Sequence, residues 1–287
     1  IGHNALNDLT TGDYNVAIGT NCADTATVAR TGVYIGTDAF GGVTTGGVEG
    51  VVAIGTDALK GSSSTTDGVN GSVAIGYSAL TALTTGSRNI GIGYQAMDAL
   101  TVGDDNLAIG YDAMGSLSTI DVSDKNIAIG NYAMNGVAGL AATQNIFIGY
   151  DSGGGSWTGT LSEQNVAVGN YTMTGAMDAC NANTAIGYGA LLALTEGYNN
   201  TVVGKAAGDA LTTGSDNVII GQLAGSGMVD ADKTVVIGKH AGYSNMDSDA
   251  DGTIAIGYYA LNALTSGTGN IAVGYNALLT EVDGDQN

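Results

Sequence analysis

Asn15-Val16-Ala17-Ile18-Gly19 returns as Asn106-Leu107-Ala108-Ile109-Gly110, as Asn126-Ile127-Ala128-Ile129-Gly130 and, with small changes, throughout the chain. Aligned on its last glycine, the pentad occurs sixteen times: Gly2, Gly19, Gly36, Gly55, Gly76, Gly93, Gly110, Gly130, Gly149, Gly169, Gly187, Gly204, Gly221, Gly238, Gly257 and Gly274. The spacings run from 17 to 21, and eight of the fifteen are 17. A period of this size is read before any division of 287 residues into ordinary domains. Longer units gain their residues in the second half, between Gly61 and Gly71 or between Asp151 and Gln164, so that half holds the surface loop.

The columns are sharper than the spacing. Ile precedes the glycine in thirteen copies, with Val168, Val203 and Val273 in the rest. Two residues earlier stands Val, Ile, Leu or Thr, and the residue between is usually a small one, Ala. Alternation of this kind predicts a short strand. Its large face, Val16 and Ile18 and their equivalents, is expected to point into the coil, with Ala17 and Gly19 on a small outer face open to a second backbone. Three residues after the glycine Ala fills thirteen copies, and Cys22, Ser152 and Thr172 are the others. Runs such as Ala5-Leu6-Asn7-Asp8-Leu9-Thr10-Thr11-Gly12 then supply a second apolar wall and a turn back to the next Asn.

One such unit cannot bury its apolar face, whereas stacking at about 4.8 Å lets each coil cover its neighbour. The fold expected is therefore all-β: a parallel β-solenoid of about 16 coils of 17–21 residues, one continuous domain over 1–287 and roughly 75 Å long. The Asn column, from Asn15 through Asn106, Asn183 and Asn217 to Asn270, is expected to form hydrogen-bonded ladders from coil to coil. The chain opens and closes within a repeat, and the expectation is a piece of a longer fibre protein.

Composition agrees. The chain holds 48 Gly and no Pro, and only 6% of its residues are aromatic, too few for a large rounded core. A net charge of −20 with seven Lys and Arg leaves no basic patch for nucleic acid or an anionic membrane, and no 18-residue apolar run crosses a bilayer. The acidity reads as a solubility device or an attraction for divalent cations.

Asn-x-Ala-Ile-Gly resembles the repeat in the heads of trimeric autotransporter adhesins, the YadA-like left-handed parallel β-roll. The longer form, as in Asn106-Leu107-Ala108-Ile109-Gly110-Tyr111-Asp112-Ala113, is similar to repeats of phage tail fibres. The resemblance covers the whole chain. It implies a homotrimer of rolls packed about a fibre axis. The adhesin-head repeat is shorter than this one, so ligands of those heads are not carried over.

Few residues suggest chemistry. His3 and His240 sit beside repeat glycines with no third partner for a triad or a zinc site, and read as surface decoration. Cys22 and Cys180 lie nine coils apart, roughly 43 Å, too far for an internal disulfide. Cys22 reads as a small core residue, and Cys180 as a loop thiol that could meet a symmetry mate near a trimer axis. Asp247, Asp249 and Asp251 alternate as in the first half of a calcium loop, although Tyr258 stands where a bidentate Glu belongs; they are either candidate Ca²⁺ ligands or a solvated acidic turn. Gly153-Gly154-Gly155 lacks the strand-to-helix setting of a nucleotide site. Tyr follows the glycine in seven copies, and Tyr94 and Tyr111, with Trp157 on an expanded loop, are the candidate ligand contacts, whether sugar or protein.

The function expected is mechanical and adhesive, with no enzymatic role and no cofactor beyond that Ca²⁺. The chain is read as an extracellular shaft in a phage tail fibre on a virion, spacing a receptor-binding tip. The alternatives are a bacterial surface adhesin or extracellular filament, and a carbohydrate-binding repeat module.

Overall fold

The computed structural model describes residues 1–42, 47–61, 68–117, 123–137, 141–159 and 161–287. It is an all-β parallel solenoid, and its contacts fall into two compact units, Ile1–Gln144 and Asn145–Asn287. In the first unit seven three-residue strands, from Val16–Ile18 to Ile127–Ile129, lie side by side in chain order. The second has eight, from Ile146–Ile148 to Ile271–Val273. The steps are parallel and keep the repeat in register: Val16 pairs with Val33 and Ile18 with Ile35, and in the second unit Val218 pairs with Val235 and Ile220 with Ile237.

Between strands the chain turns through left-handed backbone at non-glycine residues. Gln95 has φ 55°, Met97 φ 52° and Asp105 φ 61°. Each such residue costs about 1–2 kcal/mol in isolation. The conformation persists because it aims the amides at neighbouring coils. Gln95 N donates to Tyr77 O at 2.9 Å, Met97 N to Ala113 O at 2.9 Å and Asp105 N to Ser87 O at 3.1 Å.

The strand faces are the reverse of the expectation. The small middle residues, Ala53, Ala108, Ala128 and Ala185 among them, are fully buried inside the coil. The flanking Val and Ile stand outside, half-buried in most coils and 46% and 40% exposed at Val16 and Ile18. The reason is the width of the coil. Leu and Met from the first corner, such as Leu59, Leu80, Met97 and Met114, fill the interior with no exposure, and a small strand residue is what fits against them.

The coils show the same rule inverted. Where the strand residue is large, as at Phe147, Val202, Ile219 and Val236, the corner position holds Gly153, Gly208, Gly225 and Gly242. A Cβ on Gly225 would meet Ile219 Cγ2 at 3.3 Å and Met228 Sδ at 2.6 Å, and one on Gly242 would meet Val236 Cγ1 at 3.3 Å. In these coils size is traded between two positions, whereas in two adjoining coils of the first unit both positions are large, Tyr34 stacking on Phe40 with ring centres 4.6 Å apart, or both small, Ala17 and Ala23. Gly225→Leu is expected to lower stability by about 1–3 kcal/mol through overpacking. Gly225→Leu with Ile219→Ala, which recreates the common pairing, should recover most of that. Urea titration of the two variants checks it, and a double variant no better than the single one would refute the pairing.

Two polar ladders join the coils. The expected Asn column is buried and continuous over Asn89, Asn106 and Asn126 in the first unit and over Asn145, Asn165, Asn183, Asn200 and Asn217 in the second. In each step one Oδ1 takes both the backbone N–H and the Nδ2 of the next Asn, for example Asn106 N and Nδ2 on Asn89 Oδ1 at 3.0 Å. The second ladder was not expected. Two residues before the Asn, Asp side chains accept backbone amides of the preceding coil: Ser87 N to Asp104 Oδ1 at 2.6 Å, Asp104 N to Asp124 Oδ1 at 2.7 Å and Ser215 N to Asp232 Oδ1 at 2.7 Å. Part of the negative charge therefore serves the backbone directly.

Candidate functional site

The surface feature that repeats along each unit is the outer strand face. Its two columns hold thirty residues, from Val16 and Ile18 to Ile271 and Val273, of which all but Thr184 and Thr201 are Val, Ile or Leu. No charged side chain interrupts them. Period-two alternation carries a third outward column just past the glycine, where the tyrosines stand. Tyr77, Tyr94 and Tyr111 stack in order, with ring centres 5.0 and 5.3 Å apart, and each is 41–46% exposed. In the second unit Tyr150, Tyr171 and Tyr188 meet edge to face at 5.4 and 5.6 Å. Of the candidate ligand contacts, Tyr94 and Tyr111 are thus accessible, and they border the apolar face.

Trp157 is not accessible. It is 4% exposed, its ring packs 5.7 Å from that of Phe147, and its Nε1 donates to Gly153 O at 3.0 Å. The expanded loop folds inward because Gly153 leaves room in that coil for both aromatic rings, so the expectation of a surface contact is overturned.

The acidic turn divides its carboxylates. Asp247 Oδ1 accepts from Asp249 N at 3.0 Å and caps the 3₁₀ turn Ser248–Ala250, while Asp251 Oδ1 accepts from Asp232 N at 2.7 Å in the second ladder. Among the described residues no three His, Cys, Asp or Glu side chains are grouped to hold a metal ion. The carboxylates of Asp247 and Asp251 are thus each engaged by a backbone amide, and the three expected Ca²⁺ ligands are not grouped on one ion site.

Both cysteines are buried and free. Cys22 fills the small corner column as expected. Cys180 lies in a loop as expected but its thiol is buried: Sγ donates to Thr195 O at 3.1 Å, and burial pushes its pKa up to about 12. A thiol buried within its own coil is poorly placed to reach a second chain. His240 stacks on Tyr259 with ring centres 5.0 Å apart, and burial lowers its pKa, Lys239 adding to the effect. His3 is exposed.

The chain matches no family model and no curated protein. No helix among the described residues is long and apolar enough to cross a membrane.

Proposed function

We propose that this chain is a stretch of extracellular fibre shaft, a homotrimer whose three copies pack side by side through the outer Val and Ile columns. The observation that carries the reading is that uncharged double column. Soluble monomers rarely leave so long an apolar stripe in water. A second copy of this chain is the occupant that suits it, because parallel, in-register copies match coil for coil at the same rise. The stripe is two alternate residues wide, which suits three faces converging on one axis. The contact face proposed is thus the large-residue face, not the Ala and Gly face that the sequence suggested, since the latter lines the coil.

The role is mechanical: a stiff rod on a phage tail fibre that holds a receptor-binding tip away from the virion. Coils tied by buried amide ladders resist bending and slipping better than apolar contact alone. Light scattering on the isolated chain is expected to give three times 28.4 kDa, in a rod by small-angle scattering. Ile109→Asp with Ile129→Asp, which places charges in the stripe, should yield the 28.4 kDa monomer. A wild-type monomer would refute the reading.

A further inference from the structure

A groove in the second unit breaks the repeat. Two residues past the repeat glycine the column holds Asn, Asp, Gln, Tyr, Leu or His in most coils, with Ser78 in one. Its two smallest members, Gly189 and Ala206, fall on successive coils. A Cβ on Gly189 would meet nothing within 4 Å. The missing side chains leave a groove of about 350 Å³ walled by Tyr171, Tyr188, Leu192, Lys205 and Asp209.

The walls differ in chemistry. Tyr188 is 54% exposed, and Tyr171 stands at 71° to it with ring centres 5.6 Å apart, giving an apolar floor and side. Lys205 Nζ lies 5.9 Å from the Tyr188 ring centre, and among the described residues it has no carboxylate partner. Asp209 is held by Ser226 Oγ, which donates to its Oδ1 at 2.6 Å. An aromatic floor with one fixed acceptor and one free donor at its edges is complementary to a ring that is apolar on its face and carries hydroxyls around its rim.

We propose that this groove binds a neutral hexopyranose of an oligosaccharide. The C–H face of the sugar lies on Tyr188, with Tyr171 closing one side. Asp209 accepts and Lys205 donates hydrogen bonds at the hydroxyls. A quaternary ammonium group is disfavoured by the like charge of Lys205 Nζ, which stands 5.9 Å from the Tyr188 ring centre. An anionic sugar would meet Asp209 and a chain of net charge −20. The inference does not depend on the shaft reading.

The test is saturation-transfer NMR on the full chain with cellotriose, maltotriose and mannotriose at millimolar concentration, and with 3′-sialyllactose as the anionic comparison. At least one neutral trisaccharide should receive transfer at its ring protons. The response should fall by roughly tenfold in Tyr188→Ala. It should fall equally in Gly189→Gln, which refills the groove with the residue that Gln95 places in the same left-handed position. Unchanged thermal melting of Gly189→Gln shows that its coil is intact. Transfer to none of the three, transfer undiminished in Gly189→Gln, or stronger transfer to sialyllactose would overturn the proposal. Particle mass measured on the same sample keeps the two readings apart, because a monomer that binds sugar refutes the shaft alone and a trimer that does not refutes the groove alone.

Discussion

Gly221→Ala is expected to cost about 4 kcal/mol or more, against about 1 kcal/mol for Gly252→Ala, although each adds one methyl group. Gly221 ends its strand at φ 135°, backbone that L-residues adopt only under strain. Its N–H donates to Val203 O of the preceding coil at 2.8 Å, so it is held from that side. On the other side an added Cβ would lie 2.7 Å from both the carbonyl carbon and oxygen of Gly238, and 3.1 Å from Lys239 N. Those atoms are backbone and cannot swing aside. Relief requires the two coils to separate, which breaks the strand pairing of Val218–Ile220 with Val235–Ile237. Gly252 has φ 72° with nothing within 4 Å of a Cβ, and the same column elsewhere accepts Lys233 and Asp216. Its alanine variant therefore meets only the ordinary left-handed penalty. Urea denaturation followed by circular dichroism reads both. Because coils are coupled to their neighbours, the Gly221 variant should also broaden the transition or split it in two. Equal losses in the two variants would sink the steric account of the repeat glycine.

The repeat made the fold legible, and what it left illegible has a physical pattern. Period, strand position and Asn ladder follow from columns, because identical residues stacked at one rise must meet one another. Which face of Val16-Ala17-Ile18 lies inside does not follow from alternation, which says only that the two faces differ. The decision comes from the corner: Leu80 or Met97 occupies the coil interior and leaves room for Ala74 or Gly91, so the larger pair is forced out. A signal was present in the sequence, since Val202, Ile219 and Val236 each face a corner glycine where neighbouring coils with Ala carry Leu or Met. Trp157 reads as exposed because it stands in an expanded loop, although Gly153 in the same coil marks the space its partner Phe147 needs. The second ladder was hidden by variety, as Ser87, Asp104, Asp124 and Tyr198 share one column, and its acceptors are carboxylates in some coils and Asn181 Oδ1 or Ser215 Oγ in others. The groove at Gly189 and Ala206 was illegible for the opposite reason: it consists of side chains that are missing.

Asn183→Ala is expected to lose about 4 kcal/mol, and Asn183→Thr distinctly less. Asn183 is fully buried and every polar atom of its side chain is used. Its Nδ2 donates to Asn165 Oδ1 at 3.1 Å and to Gly197 O at 2.9 Å, and its Oδ1 accepts Asn200 N and Asn200 Nδ2, both at 3.0 Å. Alanine strands Asn200 N and Gly197 O away from water, at about 1–3 kcal/mol apiece, and adds a small void. Asn200 Nδ2 keeps a second acceptor, Gly214 O at 2.8 Å, and so adds little to the loss. Threonine has a precedent at Thr234, whose N and Oγ1 both donate to Asn217 Oδ1, at 2.8 and 2.7 Å. It restores the bond to the coil before but offers no second donor for a carbonyl, so it should recover only part of the loss. Chemical denaturation of the two variants, with amide hydrogen exchange to locate the opening, checks both size and place. Protection should fall first at Asn200 N and its neighbours in the adjoining coils. Equal losses for Ala and Thr, or exchange that rises evenly across the chain, would mean that the amide column fills space without holding the coils in register.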